Sequence, residues 1–410
     1  MNLTQFLKTS YTAYHAAENA KKLLLTNGFV QLKESESWSL KEGGKYFVVR
    51  GGSSIIAFCH HAGPYKIVAS HTDSPCLKLK DSPALAGGPF TRLNVEPYGG
   101  GIWYTFFDRP LRLAGRVVRE KGGELTSELY TGEKRVVIPS LAVHMNRGVN
   151  DGFAPDLQTD ISPLFALGEH EIEKVIGPAF AYDLFAVPDE EPFVSGANDE
   201  FLSSPRIDNL TSVYYSLLAL TGETKGACIA ACLDSEEVGS RTRQGAGGDF
   251  LRSVLDRIAL SLKLKGDEQA RLFASSLVVS LDNAHSVHPN RPEKCDPTNR
   301  AVMGGGIVIK SHAGGAYTTD ALTAALVKKI FAGVKHQMFY NRSDMRSGST
   351  LGAVSLAQAC IPSVDLGLPQ LAMHSAVETV ACADCEELEK GLKAIYASTV
   401  CIDGDRVKVD

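Results

Sequence analysis

Several short stretches of this chain are apolar without interruption or nearly so: KIVAS (66–70), CIAACL (228–233), LVVSL (277–281), GIVIK (306–310) and PSVDLG (362–367). A strand with one wet face alternates polar and apolar side chains, so a run without alternation is buried on both faces. Helical patterns lie between these runs. Leu210, Val213, Tyr214, Leu217 and Leu218 share one face of a helix beginning after Asp208, and further helices are predicted over 248–262, 267–276 and 318–333. Buried strands alternating with helices imply an α/β fold, a sheet covered on both sides. Upstream, KYFVVR, SSIIAF and YKIVAS are strands separated by Gly51-Gly52 and Gly63-Pro64. Residues 3–25 read as one helix stopped by Asn27-Gly28. Asp384 and Glu387 have the spacing of a capping box before a C-terminal helix.

Residues 80–200 have another texture. Gly, Pro and aromatic residues are frequent, strand-like pieces such as RLAGRVVRE alternate with turns, and the only long helix expected lies near 163–174. The stretch reads as a separate β-rich unit ending in the polar segment 188–204. With 410 residues the chain has room for two or three domains of about 100–200 residues each.

Composition removes several classes. A formal charge of −5 and the lack of a Lys/Arg stripe argue against nucleic-acid binding. No apolar run approaches the roughly 20 residues that span a bilayer, and charged residues interrupt the N-terminal segment, so neither an anchor nor a signal peptide is expected. Nine cysteines, scattered through apolar segments, read as reduced thiols of a cytoplasmic protein. The one C-x-x-C, Cys382 and Cys385, lacks a second ligand pair and reads as thiols at a helix start. None of the glycine clusters has the spacing of a phosphate-binding loop, so Gly99-Gly100-Gly101 and Gly304-Gly305-Gly306 read as loops.

The chemistry lies at the strand ends. KIVAS runs into His71-Thr72-Asp73, CIAACL into Asp234-Ser235-Glu236-Glu237 and LVVSL into Asp282; Asp208 opens a helix, and His374 follows PSVDLG in PQLAMHS. Ligands of open α/β sheets bind beyond the carboxyl ends of the strands. Each residue alone is ordinary, an N-cap or a solvated turn. Together, two histidines and three carboxylates suit a pair of divalent ions such as zinc, manganese or cobalt, with one carboxylate bridging. In H-x-D, Asp73 falls on the same side of the strand as His71 and is expected to accept its second ring N–H. Adjacent Glu236 and Glu237 point apart, so one can ligate while the other serves as general base toward water.

Long stretches of the chain resemble the aspartyl aminopeptidase family: SHTDSPCLKLK (70–80), EPYGGGIWYTFFDRPLRLAGRV (96–117), HMNRGVNDGFAP (144–155), SPRIDNLTS (204–212), LDSEEVGSRTRQGA (233–246), DNAHSVHPN (282–290), GGGIVIK (304–310), SDMRSGSTLG (343–352) and LPQLAMHS (368–375). The resemblance implies a phosphorylase-like catalytic domain with a central mixed sheet flanked by helices (1–80 and 200–410), interrupted by a β-rich dimerisation domain (81–199). It implies an exopeptidase that removes N-terminal Asp or Glu with two divalent ions, most simply zinc. Asp208 would bridge the ions, His71 and Asp282 would complete one site, and Glu237 and His374 the other. Glu236 would be the base, and Lys310 would meet the acidic side chain of the substrate. His144 would reach into a neighbouring subunit's site. His285 and His288 are assigned supporting or structural roles. The family commonly assembles as a dodecamer built from dimers. Related aminopeptidases with glutamyl or leucyl preference, and a scaffold that has kept the fold, are the competing readings. Lys310 argues against the former and the intact Glu236-Glu237 pair against the latter.

Overall fold

The computed structural model describes residues 1–345, 348 and 361–410; most of SDMRSGSTLG, and Cys360, lie outside the described residues. The central sheet has nine strands. In spatial order they are Val30–Leu32, Lys45–Arg50, Ser54–Cys59, Cys228–Leu233, Lys66–His71, Leu277–Leu281, Ser363–Gly367, Ile307–Lys310 and His336–Phe339. The four strands that begin at Cys228, Lys66, Leu277 and Ser363 run parallel, and antiparallel neighbours flank them. The apolar runs are therefore where burial is deepest: every residue of the first three of these strands is buried. Successive side chains enter opposite cores. Val68, Ala230 and Cys232 pack under helices Ile207–Thr221 and Cys382–Ala397, and Ile67, Ala69, Ile229 and Ala231 pack under helix Phe250–Ser261.

The parallel register sets the site. Leu233 pairs with His71, and Ser280 pairs with Ala69, so Asp282 comes level with His71. Three chemistry-bearing loops thus leave one edge of the sheet within two strand spacings of each other, about 10 Å.

A second sheet of six strands is wholly antiparallel and uses only residues from Cys76 to Pro188, around its own apolar core of Leu77, Leu93, Leu113, Val117 and Leu184 among others. The hairpin formed by Phe193–Ser195 and Phe201–Ser204 joins Glu378–Ala381, Pro369–Leu371 and Ala284–His285 in a five-stranded sheet beside the site.

Three local expectations are corrected. The N-terminal segment is two helices, Leu3–Thr9 and Ala13–Thr26, because Thr12 is extended and Ser10 takes a hydrogen bond from Asn19 Nδ2. The long helix near 163–174 is absent: Leu164–Leu167 is a strand paired with Phe90–Tyr98, and only Glu173–Ile176 is helical. Asp384 is not a cap. Strand Glu378–Ala381 feeds directly into the helix at Cys382, and the Asp384 carboxylate instead accepts the Gly304 and Gly306 amides, tying down the glycine loop before Ile307–Lys310.

Candidate metal centre

The five proposed ligands meet. His71 Nε2 lies 3.5 Å from both Asp208 Oδ1 and Asp282 Oδ1. His374 Nε2 lies 3.6 Å from Asp208 Oδ2 and 3.4 Å from Glu237 Oε1. Asp208 thus presents one oxygen to each group. These separations exceed good hydrogen bonds, and they match the roughly 3.4 Å between two ligand atoms about 2.1 Å from a shared tetrahedral zinc. Asp208 Oδ1 and Glu237 Oε1 are buried and have no hydrogen-bond partner among the described residues. Buried carboxylate oxygens without donors call for a cation. Three donor groups could hold a metal: His71 with Asp208 and Asp282, Asp208 with Glu237 and His374, and His71 with Glu236 and Glu237.

Several of these side chains are aimed by hydrogen-bond partners outside the cluster. Asp208 interrupts helical geometry at the start of Ile207–Thr221, with φ −80° and ψ 107°. His374 sits in a turn with φ +67°, and its Nδ1 is hydrogen-bonded to Gly100 O at 2.9 Å, which leaves Nε2 for the cluster. Asp73 behaves differently from expectation. His71 Nδ1 lies 3.1 Å from the main-chain carbonyl of Asp73 and 3.5 Å from its carboxylate. The carboxylate is already occupied by the amides of Glu236 and Glu237, both at 3.1 Å, and by the Tyr98 hydroxyl at 2.9 Å. Asp73 therefore orients the His71 ring through its backbone and the Glu236-Glu237 turn through its side chain.

Charges follow from this crowding. Burial raises Glu236 to about 7, with Asp282, Asp73 and Asp208 adding to the rise and His71 opposing it. Burial also lifts Glu237 well above the usual carboxylate range. Burial pulls the imidazoles down, but neighbouring carboxylates prevail: Asp208 and Glu237 bring His374 to about 10, and His71 is likewise raised by Asp208, Asp282 and Asp73.

Lys310 joins the cluster from the antiparallel strand. Its ammonium is buried, lies 3.6 Å from Asp282 Oδ2, donates to Asn283 O at 3.2 Å and stands 5.1 Å over the Tyr317 ring. His285 is exposed and within electrostatic reach of Lys310 and Asp282; His288 accepts the Asn290 amide within its own turn. His144 lies elsewhere, on an exposed turn of the segment 141–146, with Leu141, Val143 and Met145 also exposed.

Sequence reasoning misses three contributors. Tyr98 and Gly100 lie in EPYGGG, where the glycines read as a loop and not as a wall of the site. Glu378 gives no signal at all, yet its buried carboxylate accepts the Asp208 amide at 2.8 Å and the His374 amide at 2.6 Å.

Residues 6–396 match the family described as aminopeptidase I zinc metalloprotease, M18. The chain belongs to this family. A probable M18 family aminopeptidase 2 from Clostridium acetobutylicum is 38% identical over 421 residues, covering 96% of this chain and 97% of that protein. Among solved structures, Ape4 in its complex with Nbr1 superposes with a TM-score of 0.90 at 31% identity, over 96% of this chain and 84% of that one. The S. cerevisiae mApe1 dodecamer gives a TM-score of 0.81 at 25% identity, over 96% and 95%. The M18 metalloaminopeptidase fold is thus a mixed α/β structure with several sheets, and this chain has it nearly end to end. No helix among the described residues is long and apolar enough to cross a membrane.

Proposed function

We propose that this M18 metalloaminopeptidase removes N-terminal Asp or Glu from peptides with two divalent ions, most simply zinc. The observation that carries the two-ion reading is the division of Asp208 between two donor groups, with buried oxygens of Asp208 and Glu237 lacking any hydrogen-bond donor among the described residues. Charge supports it. Asp73, Asp208, Glu236, Glu237, Asp282 and Glu378 gather six carboxylates around one ammonium, Lys310, and two divalent cations would bring the balance close to neutrality.

His71, Asp208 and Asp282 would hold one ion; Asp208, Glu237 and His374 the other. Bound there, the ions would polarise the scissile carbonyl and lower the pKa of an attacking water. Glu236 is left outside both triads. Its amide is fixed by Asp73, and it would take the water's proton and pass it to the leaving amine. Among the described residues Lys310 is the one lysine or arginine paired with a proposed ligand carboxylate, and it supplies the positive charge that a desolvated acidic side chain requires. The phosphorylase-like description is supported by the parallel centre of the nine-stranded sheet. The exposed apolar residues on the six-stranded unit, Leu141, Met145, Leu167 and Phe180 among them, support dimerisation through it. A dodecamer, as in mApe1, is the assembly we infer, with His144 completing a neighbour's site. The eight described cysteines are all free thiols, in keeping with a reducing cytoplasm.

The test is release of free amino acid from peptides that begin with Asp, Glu, Ala or Leu, before and after chelation and zinc restoration. Chelator-sensitive release from the Asp- and Glu-initiated peptides is expected. Preference for Leu-initiated peptides would overturn the specificity, and full activity after exhaustive chelation would overturn the mechanism.

A further inference from the structure

Two of the proposed ligands, Asp208 and His374, lie on backbone without regular geometry to hold it. Asp208 breaks the helical geometry of its own helix, and His374 occupies left-handed backbone, a conformation that a non-glycine residue rarely adopts. Neither amide can be satisfied by a ladder or a helix. Both are satisfied by one side chain. Glu378, on strand Glu378–Ala381, gives Oε2 to Asp208 N at 2.8 Å and Oε1 to His374 N at 2.6 Å.

This carboxylate is 2% exposed and forms no ion pair with a lysine, arginine or histidine among the described residues. It lies close enough to Asp208 for their charges to repel, so its presence carries an electrostatic cost. Chemistry explains why a neutral residue would not serve. Two N–H donors, from residues 166 positions apart, converge on one side chain, and a carboxylate offers an acceptor oxygen to each. A glutamine would accept from one amide and turn an NH2 group toward the other. Asp73 does the same work opposite, bridging the Glu236 and Glu237 amides. Two carboxylates therefore fix the backbone of all four residues Asp208, Glu236, Glu237 and His374.

We propose that Glu378 is a positioning residue that sets the Asp208–His374 spacing and thereby the affinity of the ion shared by Asp208, Glu237 and His374. The proposal rests on the two-ion reading above. Two of that ion's three ligands hang from Glu378, whereas the ion at His71 and Asp282 depends on it only through Asp208. Loss of the brace weakens the two ions unequally.

The experiment uses the purified full-length protein, wild type and Glu378→Gln, equilibrated in zinc buffers of graded free concentration, with bound zinc counted per subunit. Wild type is expected to bind two. Glu378→Gln is expected to keep the tighter ion and need about 10- to 100-fold more free zinc for the weaker one, the range for a partner of a metal ligand. Activity should return as zinc is raised, with kcat recovering and the zinc midpoint displaced. Glu378→Asp, which keeps two acceptor oxygens on a shorter arm, should fall between. Melting temperatures in excess chelator separate positioning from folding and should agree among the three proteins. Wild-type zinc binding in Glu378→Gln overturns the proposal. So does a chelated Tm that falls in both variants along with affinity, since that would make Glu378 a folding residue. Failure of wild type to bind two ions would instead overturn the two-ion reading.

Discussion

Replacing Lys310 with Met tests whether this site reads charge. Met keeps an unbranched chain in a buried position and removes only the ammonium. Two losses follow from the structure. The first is general: Asp282 loses a cation at 3.6 Å and Asn283 O loses a donor at 3.2 Å, so a proposed metal ligand is held less firmly whatever the substrate. A hydrogen bond involving a charged group contributes about 1.5–3 kcal/mol, so a fall of roughly 10- to 150-fold is expected for every peptide. The second is specific. Unit charges about 4 Å apart at an effective dielectric near 20 attract by about 4 kcal/mol, and desolvation offsets part of this. Truncating one member of a buried charge pair costs about 2–5 kcal/mol, or roughly 30- to several-thousand-fold in kcat/KM. Asp-initiated peptides should suffer both losses and Leu-initiated ones only the first. The assay is kcat/KM on matched Asp- and Leu-initiated peptides for wild type and Lys310→Met. If the ratio between the two substrates does not move, Lys310 only holds Asp282, and the argument for acidic specificity from this residue fails.

Glu236→Gln should retain both zinc ions and lose about 10²–10⁴-fold in kcat, because the base is removed without touching a ligand; loss of zinc would exchange the roles of Glu236 and Glu237. His144→Ala should be inactive by itself but complemented by Glu236→Gln subunits, with about a quarter of sites restored in an equal, randomly paired mixture; strictly additive activities would show that His144 does not act in a neighbour. His15 is buried between the hydroxyls of Thr12 and Thr131, and burial lowers its pKa from 6.5 to about 4. Its neutral form is the folded one, so its stability contribution is complete above pH 6.5 and is lost as pH falls from 6.5 toward 4, by about 3 kcal/mol in all. Tm measured from pH 7.5 to 5 in chelator should fall more steeply for wild type than for His15→Gln, and parallel slopes would refute the assignment.

The buried sheet is legible in the chain because its strands are apolar on both faces, a pattern that solvent-facing structure does not produce. The failures come where local pattern and tertiary structure compete. Residues 3–25 carry a continuous helical periodicity, yet Thr12 is extended and Ser10 takes a hydrogen bond from Asn19, so one helix ends and another begins. Asp384 and Glu387 have capping spacing, but their carboxylates serve distant amides at Gly304, Gly306 and Lys335. Short-range spacing cannot distinguish a carboxylate that caps its own helix from one that ties down a loop 80 residues away.

The same limit divides the site. Three of the proposed ligands, His71, Glu237 and Asp282, are readable because they are polar residues at or just beyond the ends of buried strands. Their supports are not. Glu378, Tyr98 and Gly100 act through one carboxylate, one hydroxyl and one carbonyl on groups 4 to 274 positions away, and two of these four contacts run from the end of strand Phe90–Tyr98 and the loop that follows it. That loop is fixed to His374 twice, by Gly100 O on the ring and by the Ile102 amide on the His374 carbonyl, and a Cβ at Gly99 would come within 3.0 Å of the Glu237 side chain. The nine-stranded sheet therefore brings the ligating side chains near one another, but the orientation of the His374 ring and of the Asp73 carboxylate depends on a segment of the other sheet. A chain in which residues 76–188 were replaced by a short linker would keep the strand ends and lose the Tyr98 and Gly100 contacts, so the six-stranded unit contributes to the geometry of the cluster at the strand ends.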